Sequence, residues 1–231
     1  MKFSKPLIHG ILLKRYKRFL ADIKLDNGDI VVAHCTNSGS MKSCLENKAE
    51  VYLTPVNDPK RKTKFTWEMI KINKNWVGIN TGWPNIIAYE AIKNNDIAKL
   101  SGYTHVKREV TFDNSRFDVF CENENEKCFV EVKNVTYKKG DFALFPDAVT
   151  TRGQKHLKTL IKAKKQGYRA VMLYIIQRTD VLFFGVANEI DPDYAIILKE
   201  ASKKGVEIIA MQAEVSPLSI QLKKEIPIKL F

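Results

Sequence analysis

The first third of the chain alternates short apolar runs with turn residues, a pattern typical of short strands. Asp26, Asn27 and Gly28 separate two of these runs, and a loop rich in Ser, Asn and Gly, TNSGSM (36–41), follows the second. About five strands with turns at this spacing predict a small barrel or sandwich, and a five-stranded Greek-key barrel of the OB type fits the size. The predicted strands cover 10–25, 29–35, 49–55, 64–72 and 76–80.

The pattern changes at NTGWPN (80–85), where Gly82 and Pro84 interrupt it and Pro84 suits the first turn of a helix running through NIIAYEAIKNN. Three strands, a second helix and a near-continuous apolar strand, typical of one buried on both faces, come next. This order predicts a layered α/β domain over 84–231 after the barrel over 1–83, so the fold class is mixed α/β. The predicted elements are strands at 105–112, 116–122, 128–137, 169–177, 181–186, near 206–211 and at 214–221, and helices at 147–167 and 191–205.

Charge adds a class of partner to this outline. The net charge is +12, and a field of that size attracts anions, of which nucleic acids are abundant examples. Residues 1–83 hold 15 Lys and Arg against 7 Asp and Glu, whereas 84–231 hold 23 against 19, so the predicted barrel is disproportionately basic. Lys-rich surfaces also arise from genome composition or thermal adaptation, so charge alone leaves nucleic-acid binding open.

Apolar runs and cysteines bear on the location of the protein. No apolar run is long enough to span a bilayer, and MKFSKPLIHG lacks the apolar core of a signal peptide, so we expect a cytoplasmic protein without membrane contact. The four cysteines do not have the spacing of a zinc knuckle, and we expect them to be reduced and mostly buried. They are Cys35, Cys44, Cys121 and Cys128.

Candidate chemistry lies in FVEVKNVTY (129–137), an apolar strand that carries an acid and a base two residues apart. Side chains alternate along a strand, so Glu131 and Lys133 point the same way, and Asp118 lies on the preceding strand. This is the PD-(D/E)xK arrangement: Asp118 and Glu131 would hold Mg²⁺ or Mn²⁺ through oxygen, and Lys133 would orient or deprotonate the attacking water. The alternative is a structural salt bridge between Glu131 and a lysine on a neighbouring strand.

The two helices that flank these strands add further candidates. Glu90 falls in the first helix, where an additional acid often approaches such a metal site, so we predict it as an accessory catalytic residue. Arg152, Lys155 and His156, in TRGQKHL, share one side of the second helix and are predicted to contact nucleic acid. A solvated basic face is the alternative for these three. Two roles remain for Asp147, which are metal binding and capping of the second helix.

Two stretches of the predicted barrel interleave bases with aromatic residues. Basic grooves with stacking rings bind single-stranded nucleic acid, so both stretches are candidate contacts. Tyr16 and Phe19 are expected on opposite faces of one strand, which would leave one of them in the core. The predicted contacts are Arg15, Lys17, Arg18, Arg61 and Lys62.

The sequence resembles the sugar fermentation stimulation protein family, SfsA, along its whole length. The matching segments are NSGSM (37–41), WVGINTGWPNIIAYEAI (76–92), SRFDVF (115–120), FVEVKNVTY (129–137), FPDAVTTRGQKHL (145–157) and IDPDYAIILKEASKKGVEIIA (190–210). The resemblance implies an OB-like barrel followed by a restriction-endonuclease-like PD-(D/E)xK domain, and site residues Asp118, Glu131 and Lys133 with Glu90 as accessory. Ser38 departs from the expected Thr but retains the hydroxyl.

The family's members are described as nonspecific DNA-binding proteins linked to maltose metabolism. We therefore expect a nucleic-acid-binding protein, DNA before RNA, with a metal-dependent nuclease site and a possible homodimer as its assembly. The alternative is a regulatory DNA-binding protein that uses the nuclease-like fold only as a platform. A sugar-metabolising enzyme is a third reading, without a nucleotide or sugar-phosphate motif to support it.

Overall fold

The computed structural model describes residues 1–230. The first part is a closed five-stranded barrel in which β3 pairs in parallel with β5, through Ala33 and Phe65, to complete the ring. A short sixth strand extends it from β5. Trp67 is fully buried in the barrel core, and its indole N–H donates to the Met69 carbonyl at 2.9 Å. The strands are β1 Ile8–Tyr16, β2 Leu20–Leu25, β3 Ile30–His34, β4 Glu50–Pro55, β5 Phe65–Ile72 and β6 Asn75–Gly78.

The single strand predicted over 10–25 is wrong, because the chain reverses at Lys17 and Arg18. Both residues have left-handed backbones, with φ of 49° and 63°, and they connect β1 to β2 as a hairpin. Such turns normally carry Gly or Asn, so Lys-Arg gave no signal. Tyr16 is the last residue of β1 and Phe19 lies in the turn. The prediction that they lie on opposite faces of one strand therefore does not apply.

A six-stranded sheet with helices on both faces forms the second part. Its order is β7-β8-β9-β12-β14-β15, with β9, β12 and β14 parallel to one another. Helix α1 packs on one face, where Val130 and Val132 point, and α2 and α3 pack on the other, where Phe129 points. The elements are α1 Trp83–Lys93, β7 His105–Phe112, β8 Ser115–Glu122, β9 Lys127–Val135, β10 Tyr137–Lys139, β11 Phe142–Phe145, α2 Thr151–Lys165, β12 Arg169–Ile176, β13 Phe183–Val186, α3 Pro192–Lys203, β14 Glu207–Val215 and β15 Ile220–Glu225.

Several predicted boundaries in this part need correction. Strand β9 ends at Val135, and β10, β11 and β13 form a separate three-stranded sheet that the sequence pattern did not reveal. The two strands predicted near 206–211 and 214–221 are one strand, β14, followed by β15 beyond a turn that Ser216 stabilises by accepting from the amide of Ser219 at 3.1 Å. The order of helix, three strands, helix and strand is otherwise as predicted.

All four cysteines are free and buried, which confirms the expectation from their spacing. Within residues 1–230, no helix is both long and apolar enough to cross a membrane.

Two buried polar groups connect the barrel to the α/β domain. Arg178 is 1% exposed; its guanidinium binds Asp180 at 2.7 and 2.9 Å and donates to the Thr136 carbonyl at 2.7 Å and to the Ser43 hydroxyl, in a barrel loop, at 3.3 Å. Although burial alone would raise it, hydrogen bonds from Arg178 and Lys138 lower the pKa of Asp180 to about 2. This contact between the barrel and the α/β domain therefore depends on the buried ion pair of Arg178 and Asp180 and on the hydrogen bonds from Arg178 to Thr136 and Ser43.

Glu68 makes the second connection, from β5 to the start of α1. Its buried carboxylate accepts from Thr54 at 2.7 Å, from the Asn80 amide at 2.8 Å and from the Trp83 indole at 2.6 Å. Burial raises the pKa of Glu68 despite these three donors. The barrel core thus determines where the first turn of α1 lies.

Replacing Arg178 with Met should destabilise the protein by about 3 kcal/mol, because it leaves the Asp180 carboxylate short of its buried partner. Urea unfolding monitored by tryptophan fluorescence measures the change. Arg116→Met is the matched control, since Arg116 pairs with Glu109 on the surface, where both side chains are more than half exposed. We expect the control to cost less than about 1 kcal/mol. Equal decreases in the free energy of unfolding for the two variants would contradict a stabilising buried ion pair at Arg178.

Candidate active site

The sheet opens at Asp118, where β8 and β9 separate. Their recorded pairing runs from Glu122 with Lys127 to Val119 with Val130 and stops one residue short of Asp118. One Asp118 carboxylate oxygen, Oδ2, accepts a hydrogen bond from the backbone N–H of Val132 at 2.8 Å, which takes the place of a ladder bond. The other, Oδ1, accepts from the amide of Asn85 in the first turn of α1 at 2.6 Å. Asp118 therefore accepts hydrogen bonds from both β9 and α1 at the point where β8 and β9 separate.

Glu131 lies beside this opening with its side chain 2% exposed. Oε1 contacts both the Lys133 ammonium, two residues along β9, and Nδ1 of His156 on α2. Oε2 is buried and has no hydrogen-bond partner in the described structure. A buried carboxylate oxygen without a donor is costly, so this atom is suited to a ligand that supplies positive charge.

His156 is a buried partner of Glu131, which corrects the expectation that it contacts nucleic acid at the surface. The ring is 5% exposed, and Arg152 Nε lies 3.5 Å from its Nε2. Since a guanidinium can only donate, this arrangement favours the tautomer in which Nδ1 carries the proton and donates to Glu131. His156, Leu160 and Ala163 recur at helical spacing on the buried side of α2, and this period was the available signal.

Burial and charge shift the pKa values of the two acids in opposite directions. Burial, followed by the Glu131 charge, raises the pKa of Asp118 to about 6. Burial would also raise the pKa of Glu131, but the Lys133 ammonium and the His156 ring outweigh it and hold that pKa below its ordinary value. Glu131 is therefore ionised throughout the neutral range, and Asp118 loses its proton near pH 6.

The pair fits a hard divalent cation. Mg²⁺ is commonly held by one or two protein carboxylates with water completing its coordination, and the unpartnered Oε2 of Glu131 would suit that role. Residues 1–230 contain no group of three or more His, Cys, Asp or Glu side chains with metal-ligand geometry. Two carboxylates at one opening, those of Asp118 and Glu131, would suit Mg²⁺ or Mn²⁺ better than a metal that needs a full protein cage.

A cleft of about 430 Å³ surrounds these residues and is built by both parts of the chain. Its floor holds Asp118, Glu131 and Lys133. One wall is the barrel loop 36–39 together with Arg18, and a second wall is segment 144–150, which leads into α2. Arg152 also lines the cleft, at the start of that helix.

Two predicted arginines of the barrel shape the loop wall. The Arg15 guanidinium donates to the carbonyls of Asn37 and Gly39 at 2.8 and 3.0 Å, and Arg18 donates to the carbonyl of Ser38 at 3.0 and 2.6 Å. Arg15 is thereby occupied inside the protein, whereas Arg18 lines the cleft. Three backbone carbonyls of this loop are thus bound by guanidinium groups of the barrel.

Glu90 is not in the cleft, which corrects its prediction as an accessory residue. Its side chain is 48% exposed and lies 3.7 Å from the N-terminal amine of Met1, beside a different surface depression. It follows Asn85 by five residues, which turns it about 140° around the helix from the side that faces Asp118. The first-turn residue Asn85 approaches the site instead, and its place after Pro84 in NTGWPN was the only sequence signal for it.

The remaining basic candidates lie outside the cleft-lining set. Arg61 donates to the hydroxyls of Thr66 and Thr63 at 3.1 and 3.3 Å, and Lys155 donates to the carbonyl of Asn114 at 2.6 Å. Lys17 and Lys62 are exposed on the barrel surface. These four stay predictions as contacts for nucleic acid on the outer surface.

Asp147 does not cap α2, so the prediction that it is the N-cap residue of this helix is wrong. Thr150 is the N-cap residue, and its hydroxyl accepts from the N–H of Gly153 at 3.1 Å. Asp147 instead lines the cleft and accepts the N–H of Met41 at 3.2 Å, which ties the two walls together.

Comparisons with known proteins agree along the whole chain. A family model for the SfsA N-terminal OB domain matches residues 13–79, and one for the sugar fermentation stimulation protein RE domain matches residues 82–219. These matches confirm the predicted mixed α/β fold class, an OB-like barrel followed by a restriction-endonuclease-like domain.

Individual relatives cover nearly all of the chain. A sugar fermentation stimulation protein homolog from Geotalea uraniireducens (strain Rf4) is 46% identical over 231 residues, which is 100% of both chains. One from Geobacter sulfurreducens is 45% identical and covers 99% of this chain and 98% of the relative. A solved structure described as Pyrococcus furiosus SfsA in complex with Ca²⁺ has a TM-score of 0.89 at 30% identity, with 99% and 98% of the two chains covered.

Between pH 4 and pH 8 in EDTA, the stability of Asp118→Asn relative to the wild type should rise by about 3 kcal/mol, the equivalent of roughly two pKa units. The folded-state pKa is raised above that of the unfolded chain, so wild-type stability falls as the pH rises from about 4 through about 6, and the advantage of Asn grows over the same window. Urea unfolding at several pH values between 4 and 8 measures it. Asp96→Asn, at an exposed aspartate, is the control. A pH-independent difference between Asp118→Asn and wild type would contradict the raised pKa.

Proposed function

The chain belongs to the sugar fermentation stimulation protein family, and from this premise we propose that it is a metal-dependent nuclease acting on nucleic acid in the cleft around Asp118 and Glu131. The observation that carries the proposal is the buried Oε2 of Glu131, which lacks a partner although Asp118, Lys133 and His156 surround its carboxylate. A purely structural salt bridge with Lys133 would not require a second carboxylate at the same opening, nor leave an oxygen without a donor.

Mg²⁺ or Mn²⁺ is the proposed cofactor, with Asp118 and Glu131 as its protein ligands. A bound divalent cation supplies positive charge to a scissile phosphate and lowers the pKa of a coordinated water. The Pyrococcus furiosus relative is described as a complex with Ca²⁺, a cation that also prefers oxygen ligands, which supports the choice of metal class.

The surrounding side chains each have a defined task in this proposal. The Lys133 ammonium, 15% exposed, neutralises one oxygen of Glu131 and lies where it can stabilise charge that develops on the phosphate. His156 donates to the same oxygen and fixes the orientation of the carboxylate, as partners of metal ligands commonly do. Asn85 does the same for Asp118.

Nucleic acid is the proposed substrate class, with DNA tested before RNA because the family resemblance implies DNA binding. The net charge of +12 favours a polyanion, and Arg18 and Arg152 place two guanidinium groups at the cleft. Arg18 comes from the barrel and Arg152 from α2, so a phosphate backbone that crosses the cleft would meet both parts of the chain.

A DNA-binding protein without catalysis is the second candidate, and one observation favours it. Oε1 of Glu131 already has two cationic or donating partners, Lys133 and His156, so the site neutralises much of its own charge without a metal. The two candidates differ in whether a divalent cation binds and whether a phosphodiester is cut.

Millimolar Mn²⁺ or Ca²⁺ should raise the melting temperature of the wild type, and EDTA should reverse the effect. At a hundred times the dissociation constant, the gain is about 2.7 kcal/mol, or roughly 5–10 °C for a chain of this size. Asp118→Asn and Glu131→Gln should each abolish the shift, because each removes one of two ligands. Glu90→Gln is the control and should keep it. Unchanged shifts in both site variants would place the metal elsewhere.

Glu131→Gln should reduce cleavage of nucleic acid in Mn²⁺ roughly 100-fold or more, because the ligand is lost while the side-chain volume is retained. Gel assays on labelled single-stranded DNA, duplex DNA, branched DNA and RNA measure it, with Glu90→Gln as the control that retains activity. Binding without cleavage of every substrate by the wild type would favour the non-catalytic candidate.

A further inference from the structure

The two walls of the cleft touch each other, which limits what can enter. Besides the hydrogen bond from the Met41 N–H to Asp147, the chain at Gly39 lies so close that a Cβ there would overlap the Asp147 carboxylate. A few residues further, the Ser43 hydroxyl donates to the Thr136 carbonyl at 3.2 Å and accepts the N–H of Lys138 at 2.9 Å. The barrel is therefore fixed across one side of the acid pair.

The volume of the cleft is that of a small-molecule site. Sites of roughly 300–1,000 Å³ hold single small molecules, and a cleft of about 430 Å³ lies at the lower end of that range. A duplex brings a second strand and a groove about 12 Å wide to any phosphate that is cut. Both the barrel loop 36–39 and segment 144–150 line the cleft, so a duplex would have to bring its second strand past these segments to reach Asp118 and Glu131.

The chemistry of one wall also points to an exposed base. Of the apolar residues that segment 144–150 contributes to the cleft, Val149 has a side chain that is 66% exposed, whereas the Phe145 ring packs against the buried Tyr174 and Tyr194. Apolar and aromatic side chains bind the faces of bases, and those faces are accessible only when the base is unpaired. Asp118 and Glu131 line the same cleft as Val149, so the phosphate next to such a base would be in reach of the acid pair.

We propose that the cleft binds an unpaired nucleic-acid strand, with a base against Val149 in segment 144–150 and its phosphate at Asp118 and Glu131. The inference rests on the proposed function for cleavage, and adds the strandedness of the substrate and the wall that selects it. The sugar is not selected by any contact described above, so single-stranded DNA and RNA share the chemistry and both enter the test.

The experiment compares one labelled sequence as single-stranded DNA, as single-stranded RNA and as a DNA duplex, in Mn²⁺ at one fixed salt concentration. The wild type should cut at least one of the single strands roughly tenfold faster than the duplex, since stacking on protein side chains is lost when the bases are paired. Duplex cut as fast as both single strands would overturn the inference while leaving the nuclease proposal intact. The ratio of the DNA and RNA rates identifies the source of the strand.

Binding to the full-length protein in EDTA provides a test that does not depend on cleavage. Val149→Glu should weaken single-strand binding about tenfold, measured by fluorescence anisotropy, because it places a negative charge on the base-binding wall. Ile196→Glu is the matched control, since Ile196 is 64% exposed on α3 and lies outside the cleft. Melting temperatures confirm that both variants fold.

The outcomes separate the two proposals. Equal weakening by Val149→Glu and Ile196→Glu would overturn the strand inference, whether or not the protein cuts. A specific effect of Val149→Glu on single strands, together with no cleavage of any substrate, would support the inference for binding and contradict the nuclease proposal.

Discussion

Strands β8 and β9 part at Asp118, and the carboxylate of that residue takes over a hydrogen bond that the sheet gives up there. The opening places a second acid, Glu131, next to the first in a poorly hydrated setting. Every polar neighbour then has to offset that concentration of negative charge: Lys133 and His156 for Glu131, Asn85 for Asp118. Oε1 of Glu131 has two partners and Oε2 has none, and both features accompany the burial of the two acids side by side.

The site belongs to both parts of the chain, although its acids come from one. Glu68, inside the barrel, receives the Trp83 indole and so positions the first turn of α1, from which Asn85 reaches Asp118. On the opposite side, Arg15 and Arg18 hold the loop that forms a wall of the cleft. The barrel thus contributes to the geometry of the acid pair as well as to the basic surface.

Local patterns in the sequence predicted the acid pair and the order of elements, because strand alternation and helix periodicity act over a few residues. Glu131 and Lys133 share a face for that reason. Glu90 was misassigned because the side that α1 turns to the site depends on its packing, and the Lys17–Arg18 turn lacks the usual residues. The loop wall and the contact between His156 and Glu131 depend on tertiary contacts, which no short window of sequence contains.

The contact between Gly39 and Asp147 has a consequence for how such a protein can evolve. The barrel and the α/β domain are separate in sequence, yet the Asp147 carboxylate of one occupies the space that a side chain at Gly39 of the other would need. A barrel with any larger residue at this point would displace the Asp147 carboxylate, and one without Ser43 would lose the hydrogen bond to the Thr136 carbonyl. The two domains are therefore expected to change together at this contact.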